Sequence, residues 1–320
     1  MPVHVRSMSE RKRVTPRPSD VLFKARYAEG TQKQYSDAVQ HFLRWVRATG
    51  AKTRSAREMD IAFCDFICAW FDEKRAKQTA INAYYGLRWY MPDLKGRMPR
   101  SLQLIQGWKR HAPSRQHPPL SWPLTCAIAI ALVRRRLPRF AVGVLSFDCI
   151  LRVHELAALR PRHVMDGNDR ANQRSMRGRV VLHLPKTKAG RESSVEVLRP
   201  ELRRLVLWLA SVTPPGWTLM NAADYSFRYH FTKVVAELGL SPRFVLHSLR
   251  HGGATDLFND GWPIENIRIR GRWESVKSAL HYVQAGRAVA LHSSAPDSIK
   301  DAGDIVSRDL IRAFALALTQ

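Results

Sequence analysis

The chain has 320 residues, which is long enough for two domains with buried cores. Its 52 Lys and Arg against 27 Asp and Glu give a formal net charge of +25, which favours a polyanionic partner. Its four cysteines form no CxxC pair, and no apolar run is long enough for a spanning helix, so we expect an intracellular protein without a disulfide framework or a membrane segment.

The positive charge is shared along the chain. Residues 1–115 hold 23 basic and 10 acidic side chains, and the remainder holds 29 and 17. Two separately basic parts predict a nucleic acid contacted by both, although charge alone leaves RNA and an anionic membrane surface open. Residues 1–20 mix Pro, Ser and Arg, which predicts a disordered basic arm.

Residues 21–112 predict a small helical DNA-binding domain. Thr31 and Gln34 have capping-box spacing, so we expect a helix to begin at Thr31 and to end at Gly50. Apolar periodicity predicts further helices over about 58–74, 77–90 and 100–110. A proline-rich linker, 113–119, follows.

Residues 120–300 predict a second domain that mixes helices with a small sheet. The expected helices span about 122–135, 139–150, 199–211, 222–238, 247–259 and 263–270. Two strands, near 180–184 and 195–197, flank a hairpin turn at 186–191. In the tail, 301–320, an apolar stripe predicts one helix over 304–318. We expect this helix to dock onto a neighbouring protomer, and packing on its own domain is the alternative. The fold class is therefore mainly α with a small β-sheet, α+β.

Several charged and aromatic residues of the second domain have a spacing that suits an anion-binding site. His247 and Arg250 lie three residues apart on one predicted helix, and Arg152 and Glu155 do so on another. With a Lys from the hairpin they could form an anion pocket that Tyr282 reaches.

Each piece taken alone has a plainer interpretation. His247 and His251 could hold a metal, but no third ligand with suitable spacing is evident. Arg152 and Glu155 could be an ordinary surface pair, and Trp273 or Tyr282 could be core aromatics. Gly252 and Gly253 weaken a helix, so we expect close packing there.

The order of these residues resembles the tyrosine recombinase, or phage integrase, family. That family has an Arg followed three residues later by an acid, a Lys on a β-hairpin, an H-x-x-R motif, a His or Trp, and a nucleophilic Tyr. The matching residues here are Arg152, Glu155, Lys188, His247, Arg250, Trp273 and Tyr282. Lys186 is the alternative to Lys188.

The resemblance implies a site-specific recombinase that cuts and rejoins double-stranded DNA. Tyr282 would attack phosphorus to give a 3′-phosphotyrosine, His247 would act as base and Lys188 as general acid. Arg152, Arg250 and Trp273 would bind the phosphate oxygens, and Glu155 would orient Arg152 or His247. No cofactor, metal or small-molecule substrate is implied. Four protomers would hold two duplexes, and strands would be exchanged in pairs through a Holliday junction.

Outside this pocket, we expect Lys77, Arg88 and Arg191 to contact DNA, with the helix at 77–90 as a candidate major-groove reader. Two other functions remain open from the sequence. A type IB topoisomerase-like enzyme would share the chemistry but act as a monomer, without a need for the docking tail. A domesticated protein would bind DNA without cutting it, although every catalytic position here holds an active residue type.

Overall fold

A computed structural model of the protein describes residues 25–113, 116–169, 177–185 and 193–319. The chain divides into two compact units, Met1–Arg115 and Gln116–Gln320. The described residues are mostly helical and include one three-stranded antiparallel sheet, so the predicted α+β class is confirmed. The predicted arm at 1–20 and the hairpin turn with Lys186, Lys188 and Arg191 lie outside the described residues.

The described part of the first unit is helical. Its α-helices are α1 (Glu29–Thr49), α2 (Ala56–Asp72), α3 (Lys77–Tyr90) and α4 (Pro99–His111), with a 3-10 turn at Pro92–Leu94. Their apolar faces enclose an aromatic-rich core around Phe42, Phe63 and Phe66. The bounds predicted for α3 are confirmed, because the periodicity there is uninterrupted between Ala76 and Pro92.

The predicted capping box at Thr31 is wrong. Helix α1 begins at Glu29, and the carbonyl of Ala28 accepts hydrogen bonds from the amides of both Thr31 and Gln32. The side chain of Gln32 donates to the carbonyl of Tyr27 at 2.7 Å, which ties the preceding residues to this helix. A capping box does occur at the start of α2, where Ser55 and Glu58 bond each other's backbone amides.

The second unit contains the remaining helices and the sheet. The α-helices are α5 (Trp122–Arg134), α6 (Pro138–Ala141), α7 (Leu145–Asp148), α8 (Val153–Ala158), α9 (Pro200–Ser211), α10 (Asp224–Glu237), α11 (Leu246–Asn259), α12 (Ile264–Gly271), α13 (Val276–Leu280), α14 (Ala285–Ser293), α15 (Asp297–Arg308) and α16 (Leu310–Thr319), with 3-10 turns at Val142–Val144 and Pro161–His163. Strands β1 (Val164–Asp166), β2 (Val180–Leu184) and β3 (Ser193–Glu196) pair in chain order. In β2, Val180, Leu182 and Leu184 are buried, as its alternating pattern requires.

Two details of the second unit differ from the sequence prediction. The single helix expected at 139–150 is interrupted by the 3-10 turn, where a Cβ on Gly143 would lie 2.3 Å from the Phe227 ring. The absence of a Cβ at Gly143 therefore allows this ring to pack directly on the backbone. Strand β1 was not predicted, because three residues are too few for an alternating pattern to be recognised.

The single tail helix predicted at 304–318 is also wrong. Helices α15 and α16 are separated at Asp309, whose carboxylate accepts from the amide of Arg312 at 3.0 Å and so caps α16. Leu310, Phe314 and Ala317 are buried in the core of their own unit. Docking of the tail onto a neighbouring protomer stays a prediction, and docking through the predicted stripe would require Leu310 and Phe314 to leave that core. Among the described residues, no helix has the length and apolar character needed to cross a membrane.

Candidate active site

Helix α11 carries three residues of the candidate site on a tightly packed backbone. A Cβ on Gly252 would lie 2.2 Å from the carbonyl oxygen of Leu120, and one on Gly253 would lie 1.9 Å from that of Phe147. The close packing predicted for these glycines is therefore confirmed. It seats α11 directly on two backbone segments, and His247, Arg250 and His251 project from the helix so fixed.

Tyr282 follows α13 and is held against α11 at several points. Its hydroxyl lies 3.2 Å from Nε2 of His247. Its ring stacks on His251 with centroids 4.4 Å apart and planes at 26°. Its carbonyl accepts a hydrogen bond of 3.2 Å from Oγ1 of Thr255. Both the backbone and the ring of Tyr282 are thus positioned by one helix.

The guanidinium of Arg250 lies beneath two aromatic rings. The side chain is only 1% exposed, with its Cζ 4.5 Å from the centroid of Trp273 and 5.3 Å from that of Tyr282. Its Nη1 and Nη2 donate to the backbone carbonyls of Ile150 and Gly271. Burial, together with Arg152 and Arg272, lowers the pKa of Arg250, but an arginine starts so high that it stays charged.

Trp273 contributes a buried donor without an acceptor. The side chain is 7% exposed, and its Nε1–H has no hydrogen-bond partner among the described residues. A Cβ on Gly271 would lie 1.9 Å from the Trp273 ring, so a glycine is what allows the indole to lie there. A buried donor of this kind is costly unless a bound group satisfies it.

Arg152 and Glu155 form a pair, but not on one helical face as predicted. Arg152 precedes α8 in an extended conformation, and the fully buried carboxylate of Glu155 accepts from the Arg152 amide at 2.8 Å and from Nη1 at 2.7 Å. Nη2 of Arg272 donates to the same carboxylate at 2.9 Å. Burial would raise the pKa of Glu155, but Arg272 and the donors of Arg152 outweigh it, so the pKa lies below its usual value. Glu155 is therefore ionised at neutral pH.

His247 has a cationic and partly buried environment. Burial, then Arg250, His117 and Arg152, lower the pKa of His247 to about 4. Its imidazole is consequently neutral at neutral pH. With the proton on Nδ1, Nε2 can accept a hydrogen bond from the Tyr282 hydroxyl.

The structure thus brings together Arg152, Glu155, His247, Arg250, Trp273 and Tyr282. Lys188, Lys186 and Arg191 lie outside the described residues, so their roles stay predictions. Lys77 and Arg88 belong to the first unit, where Lys77 donates to the carbonyl of Ala112 and the Arg88 guanidinium lies 5.2 Å from the Tyr84 ring centroid. Their contact with DNA also stays a prediction.

Sequence reasoning missed Arg272 and the backbone of Ile150. Arg272 stands in the motif Gly271-Arg272-Trp273, but nothing in that pattern indicates which way its side chain turns. The sequence left a metal site at His247 and His251 only as an alternative, and Nδ1 of His251 lies 3.0 Å from Nε2 of the Gln284 side chain. Within the described ranges, no group of three His, Cys, Asp or Glu has a geometry suited to a metal ion.

Part of the second unit matches the model of a known protein family. Residues 138–288 match the model of the phage integrase family, and this span includes every residue of the candidate site. A search of curated proteins gave no significant match.

Solved structures with a similar fold include several integrases. A lambda integrase dimer bound to a COC′ core site aligns with a TM-score of 0.57 at 13% identity, covering 83% of this chain and 75% of that chain. The Tn1549 transposon integrase, residues 82–397, in complex with circular intermediate DNA aligns with a TM-score of 0.54 at 12% identity, covering 81% and 98%. A lambda integrase tetramer bound to a Holliday junction gives 0.56 at 14% identity, covering 83% and 76%.

At these identities the similarity is one of fold, and the family model identifies the domain. Over residues 138–288, the chain carries a domain of the phage integrase family, the family of tyrosine recombinases.

Proposed function

We propose that this protein is a site-specific DNA recombinase that cuts and rejoins DNA through a covalent bond to Tyr282. The observation that carries the proposal is the 3.2 Å contact between the Tyr282 hydroxyl and Nε2 of His247, beside the buried guanidinium of Arg250. A phenol, an adjacent base and a cation are what a tyrosine nucleophile needs for attack on a phosphodiester.

Tyr282 must lose its proton during the attack. A free tyrosine has a pKa of about 10, so it is a weak nucleophile at neutral pH without help. His247 is neutral at that pH, since its pKa is lowered to about 4, and can therefore accept the proton. The neighbouring Arg250 stabilises the phenolate that develops.

The phosphate would be bound by Arg250, Arg152 and Trp273. Arginine offers paired donors that match two phosphate oxygens, and the unpaired Nε1–H of Trp273 supplies another donor. The Tyr282 ring lies over the Arg250 guanidinium, so we expect it to shift when DNA binds. That shift would expose the cation and satisfy the Trp273 donor at the same time.

The reaction itself exchanges one phosphodiester for another. Oη of Tyr282 forms a bond to phosphorus, and the bond from phosphorus to the 5′ oxygen breaks. His247 takes the phenol proton, and Lys188 gives a proton to the leaving 5′ oxygen. Since the new ester keeps the bond energy, a 5′ hydroxyl from another strand can reverse the step without ATP. Cationic side chains supply the charge stabilisation, so the proposal requires no divalent metal.

The partner would be double-stranded DNA, held by a homotetramer on two sites. The net charge of +25 favours binding to the phosphate backbone, and Lys77, Arg88 and Arg191 are proposed to contribute. The assembly is inferred by analogy, because the solved structures with this fold include integrases bound to DNA and a tetramer bound to a Holliday junction.

The decisive experiment is covalent trapping. A binding selection from randomised duplexes would first supply a target sequence. A nicked suicide version of that duplex, which loses the short fragment after cleavage, should then accumulate a protein–DNA adduct that survives denaturation, with or without EDTA. Binding without cleavage or adduct would instead favour a domesticated DNA-binding protein, and cleavage that is lost in EDTA and restored by Mg²⁺ would favour a metal-dependent nuclease. Relaxation of supercoiled plasmids by monomers, without strand exchange between two sites, would favour the topoisomerase-like alternative.

A further inference from the structure

Two residues beside the candidate site have left-handed backbone conformations that are unusual for their side chains. Ile150 has a φ of 48° and Arg272 a φ of 56°. Such values are rare for a β-branched residue and are normally taken by glycine at the end of a helix. Strained backbone of this kind persists only where surrounding contacts enforce it, and it concentrates at functional sites.

The strain at Ile150 turns its carbonyl toward two arginines. Nη1 of Arg250 donates to this oxygen, and Nη2 of Arg272 does so at 2.8 Å. The Ile150 side chain is fully buried, which anchors the turned peptide. One carbonyl therefore joins Arg250 to Arg272.

Arg272 also reaches the other arginine of the candidate site. Its Nη2 lies 2.9 Å from Oε2 of Glu155, while Oε1 of Glu155 accepts from Arg152 at 2.7 Å. The carbonyl of Arg272 accepts a second, longer bond of 3.4 Å from Nη2 of Arg152. Arg272 thus contacts the partners of both phosphate-binding candidates.

The contacts of Arg272 indicate what kind of role it can have. Its Nη atoms donate to the Glu155 carboxylate and to the carbonyls of Ile150 and Arg270. The Arg250 guanidinium lies against the Tyr282 ring, whereas Arg272 has no contact with that ring among the described residues, so it is poorly placed to bind a phosphate beside Tyr282. Termination of α12 does not by itself explain an arginine at position 272, because glycine would adopt the left-handed conformation there without strain.

We propose that Arg272 is a positioning residue, which fixes Glu155 and the Ile150 carbonyl so that Arg152 and Arg250 are held in the spacing that a phosphodiester requires. This inference rests on the proposed function. Catalysis by aligned donors is sensitive to small displacements, so loss of Arg272 should reduce cleavage more than DNA binding.

The test uses Arg272→Gly in the full-length protein. This change removes the guanidinium at a left-handed position that glycine adopts without strain, so the loss of the side chain is tested without added backbone strain. Arg136→Gly is the matched control, because Arg136 is an exposed arginine with a φ of 62° at the end of α5. With the nicked suicide duplex at saturating concentration, we expect Arg272→Gly to form adduct at least about tenfold more slowly, with DNA affinity within about twofold of wild type. Arg136→Gly should behave as wild type.

A double-mutant cycle shows whether Arg272 acts through Arg152. Adding Arg272→Gly to an Arg152→Lys protein should slow cleavage by a smaller factor than it does in the wild type, because the group being positioned is already altered. An equal factor in both backgrounds would overturn the proposal, and so would wild-type cleavage by Arg272→Gly.

Folding is monitored by urea unfolding, and Arg272→Lys serves if the glycine variant does not fold. The lysine keeps one charge but lacks the fork that bridges Glu155 and Ile150, so it should also slow adduct formation while binding DNA normally. Wild-type cleavage by the lysine variant would then overturn the inference. If the wild-type protein itself forms no adduct, the proposed function fails and this inference fails with it.

Discussion

The hydroxyl of Tyr282 lies 3.2 Å from Nε2 of His247, although 35 residues separate them in the chain. The contact depends on α11, which presents His247, stacks His251 on the Tyr282 ring and holds the Tyr282 carbonyl through Thr255. The proposed nucleophile and its proposed base are therefore positioned by one helix, which also carries Arg250, whereas Arg152 and Arg272 belong to other segments.

Replacing Tyr282 with Phe should abolish the covalent adduct and leave DNA affinity nearly unchanged, because only one hydroxyl is lost. Adduct formation is measured on denaturing gels with the nicked duplex, and affinity by a mobility shift. Tyr225→Phe and Tyr229→Phe are the controls, since these side chains are 78% and 59% exposed on α10, and both should cleave normally. An adduct formed by Tyr282→Phe would move the nucleophile to one of those two tyrosines.

The stability of the protein should fall as the pH is lowered from about 6.5 to about 4. Burial, followed by nearby cations and histidines, lowers the pKa of His247 to about 4 and that of His251 to about 3 in the folded chain. Unfolded histidines have a pKa near 6.5, so in this window the unfolded state takes up protons that the folded state does not. Above pH 6.5 both states carry neutral imidazoles, and the effect disappears.

This pH dependence can be isolated with a His247→Gln, His251→Gln double variant. Urea unfolding across the window should give a shallower loss of unfolding free energy than in the wild type. His154→Gln, on the exposed surface of α8, is the control and should keep the wild-type slope. Identical slopes for the wild type and the double variant would contradict the assigned pKa shifts.

Lys188→Ala should slow cleavage far more than binding, and a 5′-phosphorothiolate at the scissile position should restore the rate. A sulfur leaving group departs without a proton, so a general acid becomes dispensable. The comparison variant is Lys186→Ala, which should cleave an ordinary phosphodiester normally. If the 5′-phosphorothiolate restores cleavage by Lys186→Ala and not by Lys188→Ala, the general acid is Lys186.

Gly253→Ala should destabilise the second unit by about 1–3 kcal/mol or more. The added Cβ would lie 1.9 Å from the Phe147 carbonyl oxygen, and backbone cannot move aside as a flexible side chain could. Gly107→Ala is the matched control in α4, where nothing lies within 4 Å and the change should stabilise by about 0.5–1 kcal/mol. Equal effects of the two substitutions in urea unfolding would mean that α11 packs less closely than described.

Phe314→Ala should lower the free energy of unfolding by about 3–5 kcal/mol, because the ring is 2% exposed in the core of its own unit. Ile305→Ala on α15, where the side chain is 69% exposed, should change it by less than about 0.5 kcal/mol. If Phe314→Ala leaves the monomer stable but abolishes cooperative binding to two half-sites, the tail docks onto a neighbouring protomer after all.

The sequence alone determined which residues are candidates for the site more fully than it determined their geometry. The order from Arg152 through His247 and Arg250 to Tyr282 can be recognised in the sequence alone, because side-chain type and spacing along the chain do not depend on the fold. Long helices such as α3 could be predicted for the same reason, since their apolar periodicity repeats over several turns.

Only the tertiary structure decided how the site is supported. The left-handed backbone of Ile150 and Arg272, the shared carboxylate of Glu155 and the burial of Arg250 beneath Tyr282 all arise from contacts between segments far apart in sequence. The tail is a second example. Its residues Leu310 and Phe314 form an apolar stripe that could be buried against a neighbouring protomer or against the core of its own unit. A periodic pattern specifies that a face must be buried, whereas the partner that buries it is set by packing.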